Sequence, residues 1–285
     1  MDSIEEKRVY GDRTGATEAY VASAVGVVRV SVAGDTVGEF GLYDRSPARD
    51  IATARGDGTV AVATDEDVRI HTNAAISDGE EQVVETGFGP AVAVGYHDGT
   101  LLAAGPDGRV GRRTGEGWET VADAAIETVT AIDGDLIGTE AGVYRVHDDG
   151  LDHAGLTAVR DVSVAGVPLA ATADGLYKLG NGWMEIRDGA FDVVAADPRA
   201  DSGRLDRAHA VADGTVYAHD PATGEWQTND APPEHIVGIA YGETVYAVSQ
   251  DGTFLAAIDG DGPGMWRSQP IGVTDVRGVV VVRSE

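Results

Sequence analysis

The chain has no cysteine. That excludes a disulfide framework, a thiolate nucleophile and a cysteine-based zinc site. It has almost no lysine: of 21 basic residues only Lys7 and Lys178 are not arginine. No apolar run approaches the roughly 18 residues of a membrane helix. The opening stretch MDSIEEKRVYGDRTG has no apolar segment of signal-peptide length, which predicts a cytoplasmic protein. Helical periodicity is missing too. Apolar runs are short, alternate with period two and break every few residues at Gly or Asp.

What is abundant is negative charge. Asp and Glu number 48 against 21 Lys and Arg, a net charge of -27 over 285 residues. Such a chain repels DNA, RNA and anionic membranes, so neither is an expected partner. At about 1 M salt the Debye length is roughly 3 Å, and self-repulsion largely vanishes. An acidic, lysine-poor surface therefore reads as adaptation to a salt-rich cytoplasm. The other reading is an acidic protein built to capture a basic partner.

The chain repeats itself. ADGLYKLGNGWMEIRDG (173–189) has relatives in DGRVGRRTGEGWETV (107–121), AGVYRVHDDGLDHAG (141–155), DGTVYAHDPATGEWQTN (213–229) and DGTFLAAIDGDGPGMWRS (251–268). Each follows two short apolar strands, such as AVAVGY (91–96) and TLLAAG (100–105). A four-strand unit emerges, joined by Asp-Gly turns. Units begin near Asp50, Ala91, Glu127, Asp161, Asp192 and Ile236. A seventh is split: residues 19–42 supply three strands and TDVRGVVVVR (274–283) the fourth. Seven units average about 41 residues, the spacing of propeller blades. The chain is expected to be a single all-β domain over 1–285, a seven-bladed β-propeller of four-stranded blades. The C-terminal strand completes the N-terminal blade, and closure removes exposed inner edges. The first 17 residues fit either a tail or an added outer strand.

All four tryptophans, Trp118, Trp183, Trp226 and Trp266, occupy the start of an outer strand. A residue recurring at one repeat position suits a recurring packing task, with a tryptophan-lined ligand surface as the second reading. Tyr144, Tyr177 and Tyr217 share a register in the third strand. His71 and His147 also read as sharing one, with His219 a residue off it.

Inner strands of a propeller line its central channel, so the residues that open them are the site candidates. They are Asp50, Glu127, Asp161, Asp192 and Asp275, with Glu234 and His235 one step out of register, and Arg49 and Arg160 preceding two of the acids. A ring of carboxylates at a channel mouth offers a place for a divalent cation or a basic peptide. The local reading is that each Asp bonds nearby backbone N–H groups.

Motifs of common catalysts are missing from the sequence: G-x-x-x-x-G-K-[ST], G-x-S-x-G and H-E-x-x-H are not found, and no cofactor motif is identified. DGDGPGMW (259–266) begins like a calcium loop but has Pro263 at the fifth position. The sialidase-type Asp-box and the Trp-Asp ending of WD40 repeats are not present. Three segments depart from the repeat and are natural places for specific binding: YDRSPARD (43–50), TNAAISDGEEQ (72–82) and ADPRADSGRLDRAH (196–209).

The acidic seven-fold repeat, with DGLY-type third strands and Trp-led outer strands, resembles an uncharacterised family of β-propeller proteins from halophilic archaea. In general shape it also resembles WD40-like and two-component-regulator-type propellers. The resemblance implies interaction roles more often than catalysis, and fold analogy is a weak warrant for function. The leading expectation is a non-catalytic protein-interaction scaffold. The alternative is a metal- or small-ligand-binding propeller with hydrolase- or lactonase-like activity at the channel mouth. It requires at least three of Asp50, Glu127, Asp161, Asp192, His235 and Asp275 to converge.

Overall fold

The structure is a computed structural model that describes residues 17–54, 58–72, 82–115, 117–121, 126–229, 235–258 and 265–283. Every regular element among these residues is a β-strand, and the strands form seven antiparallel four-stranded sheets. The sequence dictates this locally. Runs such as Val60–Thr64 and Leu169–Thr172 are short, small and β-branched, and they are buried throughout. Turn residues such as Asp98-Gly99 and Asp213-Gly214 take positive φ between them, the geometry that tight hairpins need.

Each sheet is one blade. The inner strands are Val276–Arg283 in blade 1, Ala48–Thr53 in blade 2, Ala93–His97 in blade 3 and Val129–Asp133 in blade 4. Those of blades 5 to 7 are Val159–Ser163, Phe191–Ala196 and Ile236–Tyr241. Each inner strand contacts the next, and that of blade 7 contacts that of blade 1, so the ring closes. In blade 1 the C-terminal strand pairs antiparallel with Thr17–Ser23, as the split repeat requires. The expected seven-bladed fold, its four-stranded units and its closure all match.

Apolar clusters form at the interfaces between blades. Leu169, Leu176, Phe191, Ala208 and Ala210 pack blade 5 against blade 6. Ala93, Leu102, Ile132 and Ile137 pack blade 3 against blade 4. Where two inner strands approach closely, glycine is required: a Cβ on Gly95 would lie 2.5 Å from Ile132 Cγ2.

Six of the seven inner strands carry a register shift after their first residue. The skipped residues are Arg49, Thr130, Arg160, Asp192, Val237 and Arg277. A bulge of this kind reverses which way the neighbouring side chains point, and it decides the fate of the acid ring.

Candidate functional site: the inner ring of carboxylates

Asp50 and Asp161 occupy the same place, the residue just past the bulge. Asp161 Oδ1 accepts the Val162 N–H at 2.9 Å, and Oδ2 accepts the Val194 N–H of blade 6, also at 2.9 Å. Asp50 repeats the pattern with Ile51 at 2.8 Å and Val94 of blade 3 at 2.9 Å. Each carboxylate thus bonds its own strand and bridges to the inner strand of the next blade. Burial pushes the Asp50 carboxyl up to about 6, although both N–H bonds oppose the shift. Burial pushes Asp161 up to about 7, again against two N–H bonds, with help from the charges of Asp133 and Asp50.

The repeat-based reading missed Asp133. It ends the inner strand of blade 4, and its Oδ2 accepts the Val164 N–H of blade 5 at 2.8 Å. In sequence it sits in AIDGD (131–135), where Asp-Gly reads as a turn and masks the second role. Asp161 is the acid of the inner ring that feels the charges of both Asp133 and Asp50.

The other candidates lie elsewhere. Asp192 is a bulge residue, and so is Arg160; the Arg160 guanidinium meets the Asp192 carboxylate at 2.5 Å across the blade 5–6 boundary. Arg49, the bulge residue of blade 2, makes a two-pronged bond to Asp65 with both distances 2.7 Å. Glu127, His235 and Asp275 are exposed in the loops before their inner strands. Asp275 adopts φ 52 there, like Thr128 and Ala158 at equivalent places. Glu234 lies outside the described residues, as do residues 1–16, 73–81 of the lengthened turn and 259–264 of the calcium-like stretch. The structure therefore gives Asp50 and Asp161 equivalent positions on blades 2 and 5 and does not gather the six-residue constellation. Among the described residues no group of three or more His, Cys, Asp or Glu is arranged to hold a metal ion.

The tryptophans have a shared task. Each stands opposite the same third-strand position, filled by Arg113, Leu179, His219 and Ala257. Three of the indole N–H groups donate to the preceding blade: Trp118 to Thr86 O at 3.1 Å, Trp183 to Ala154 O at 2.9 Å and Trp266 to Asn229 Oδ1 at 3.2 Å. They seal the outer ends of the blade interfaces.

The histidine register is corrected. His71 and His219 share the third-strand position, and His147 lies one residue beyond it. His71 Nε2 lies 3.0 Å from Asp44 Oδ2 and is buried, whereas His147 is half exposed.

The insertion of blade 6 is ordered around one acid. Asp197 Oδ1 accepts from Arg199 Nε at 2.8 Å, and Oδ2 accepts from Arg199 Nη2 at 2.6 Å and Arg207 Nη2 at 2.8 Å. Burial alone would raise Asp197, but the two guanidiniums more than reverse it and hold it at about 2. The Asp197 N–H also bonds Arg207 O at 2.8 Å, closing the loop. The loop rests on blade 5 through the Gly203 N–H to Gly166 O bond at 2.8 Å. Gly166 has φ +67, and a Cβ there would meet Arg204 O at 2.2 Å, so the contact demands glycine. Behind the loop, His209 Nδ1 lies 2.8 Å from the Tyr241 hydroxyl, and burial lowers the histidine to about 4.

Among the described residues no helix is long and apolar enough to cross a membrane. No curated protein matches the chain. Solved structures with the same shape include the WD40 β-propeller domain of Doa1, at 16% identity and TM-score 0.60, covering 78% of this chain and 83% of that one. A chain of the nidogen/laminin complex matches at 12% identity and TM-score 0.58, covering 94% and 99%. Apo AztD from Citrobacter koseri matches at 11% identity and TM-score 0.59, covering 94% and 98%. At these identities the likeness is one of fold alone. Residues 3–282 match the family described as Beta-prop_HVO_0234:-like, beta propeller, and the chain belongs to that family.

Proposed function

We propose that the protein is a non-catalytic interaction scaffold of a salt-rich cytoplasm, binding a protein partner through the face of the disc that carries the blade 6 insertion. The observation that supports this reading is the insertion itself. An 11-residue excursion, 197–207, departs from the repeat, yet Asp197, Arg199 and Arg207 hold it in one shape and Gly166 seats it on blade 5. A preordered loop on a rigid scaffold binds without a large ordering cost. The acids of the inner ring are engaged with backbone N–H groups and the tryptophans with blade packing, so both serve the ring. The net charge of -27 suits molar salt, where it keeps the disc soluble.

The test is affinity purification of the tagged chain from its native cells in molar salt, with quantitative mass spectrometry. The expected result is a different protein recovered in near-stoichiometric amount. Replacing 198–206 by a short Gly-Ser link should lose it while the blades still fold. Recovery of no such protein, or its retention by the shortened chain, would overturn the proposal.

A further inference from the structure

The chain has three asparagines, and the structure treats them differently. Asn229 ends the outer strand Trp226–Asn229 of blade 6, and its Oδ1 accepts the Trp266 indole N–H at 3.2 Å. Asn73 lies outside the described residues. Asn181 is the middle of a three-residue loop, Gly180-Asn181-Gly182, between the third and outer strands of blade 5, which pair Leu179 with Trp183. All three loop residues are exposed. The Gly180 N–H donates to Gly182 O at 2.9 Å, but among the described residues neither the Asn181 side chain nor the Gly182 N–H is hydrogen-bonded. The space around Gly182 is open: a Cβ there would meet nothing within 4 Å. Glycine on both sides also leaves the backbone of the loop few steric limits.

We infer that Asn181 is a site of spontaneous covalent modification, in which the Gly182 backbone nitrogen closes a ring on the Asn181 side chain. The nitrogen, having lost its proton to solvent, attacks Asn181 Cγ. The N–Cγ bond forms, the Cγ–Nδ2 bond breaks, and Nδ2 takes a proton from solvent and leaves as ammonia. The product is a five-membered succinimide. Water then adds to one of its two carbonyls. Opening at Cγ gives aspartate, and opening at the main-chain carbonyl gives isoaspartate, in which the chain runs through Cγ. The net change is one water taken up and one ammonia released. Only the residue after an asparagine can close this ring, and a side chain on it crowds the approach; glycine has none. At Asn229 the side chain is held by Trp266 and the next residue is Asp230, so the same step is disfavoured twice. Each product carries a new carboxylate. Isoaspartate also lengthens the main chain by one carbon atom just before Trp183, whose indole bonds Ala154 O of blade 4. The inference goes beyond the scaffold proposal: it concerns covalent chemistry on blade 5, needs no partner, and either can fail alone.

The experiment incubates the full chain at pH 8, folded in molar KCl and, in parallel, unfolded by guanidinium. Samples are taken until the unfolded chain is half converted, then cut with trypsin at mildly acidic pH and weighed by mass spectrometry. Cleavage at Lys178 and Arg187 isolates residues 179–187, LGNGWMEIR, which hold no other asparagine. In the folded wild type this peptide should gain about 1 Da, the exchange of an amide for an acid, and should separate by chromatography into aspartyl and isoaspartyl forms. The rate should stay within a few-fold of that in the unfolded chain. N181Q should show no gain over the same time, and G182A should slow it several-fold. Both substitutions are at exposed positions, and circular dichroism with a thermal melt checks that each variant is folded. A folded wild type that keeps its original mass when the unfolded chain is half converted overturns the proposal, since the hairpin then holds Asn181 away from the Gly182 nitrogen. Aspartate without isoaspartate, or a folded G182A chain that converts as fast as the wild type, overturns ring closure by that nitrogen.

Discussion

The Asp161 carboxylate accepts the Val194 N–H at 2.9 Å and so ties the inner strand of blade 5 to that of blade 6. It does so while its charge is disfavoured by burial and by Asp133 and Asp50.

That conflict makes the ring sensitive to pH. The folded carboxyls of Asp50 and Asp161 are raised to about 6 and about 7 from 3.8. The folded state therefore binds protons more tightly than the unfolded chain, and stability falls as pH rises from about 4 through 7. Both side chains keep some exposure, so screening holds the effect below the full linkage value, to about 2 kcal/mol. Buried His209, held at about 4, contributes the opposite slope. The check therefore compares guanidinium unfolding of the wild type and of Asp161→Asn at pH 5 and pH 8 in molar salt, a comparison in which the His209 contribution is common to both. Asp161→Asn, which keeps one acceptor and removes the charge, should lose less stability than the wild type between pH 5 and pH 8. An identical pH dependence in the two chains would show that Asp161 titrates as it does in the unfolded chain.

The Trp183 indole N–H bonds Ala154 O across the blade 4–5 boundary at 2.9 Å. Trp183→Phe keeps most of the ring and loses the bond, for a cost of about 1 kcal/mol. Trp183→Ala also uncovers the interface and should cost about 3 kcal/mol. The two unfolding curves, compared with the wild type, check the order; equal losses would mean that the indole contributes by its hydrogen bond alone.

Asp197 holds the insertion and little else. Asp197→Ala leaves two arginines without their shared acceptor, and loop 197–207 should become accessible to protease at Arg199, Arg204 and Arg207. Amide exchange should speed up there and remain slow in the Ala208–Ala212 strand. Unchanged exchange across the loop would mean that the Gly166 contact is enough to hold it.

The last strand closes the ring. A chain ending before Asp275 leaves Thr17–Ser23 with an open inner edge, and Val276, Val279 and Val282 missing from the core. It should fail to unfold cooperatively and should aggregate. A truncated chain with a single sharp transition would show that six blades and a remnant suffice.

Salt should stabilise the whole disc. With a net charge of -27, dialysis from molar KCl to tens of millimolar extends the screening length from roughly 3 Å to well over 10 Å. The melting temperature should drop by several degrees, with a broadened transition. An unchanged melt would point to acids arranged for a basic partner rather than for salt.

The fold was legible because it is periodic. Seven Asp-Gly-punctuated units, four recurring tryptophans and a split blade are local signals repeated until they admit one closed arrangement. The site was legible only in part. Asp50, Asp161 and Asp192 all open an inner strand, and in sequence they look equivalent. A bulge shifts the register, so Asp192 aligns with Arg160 and points the other way, toward a guanidinium. Side chains on a strand alternate faces, and a one-residue slip exchanges them. Asp133 was hidden for the converse reason: its turn motif explains it locally, while its partner, Val164, belongs to another blade.

By itself, then, the sequence determined the all-β class, the count of seven, the closure by the C-terminal strand and a net charge of -27 with only two lysines. Each of these follows from composition or from a spacing within one unit. The tertiary structure decided which acids meet the next blade and which indoles bond across an interface. Those outcomes depend on bulges and on contacts between blades about 30 residues apart, and no pattern within one unit encodes them.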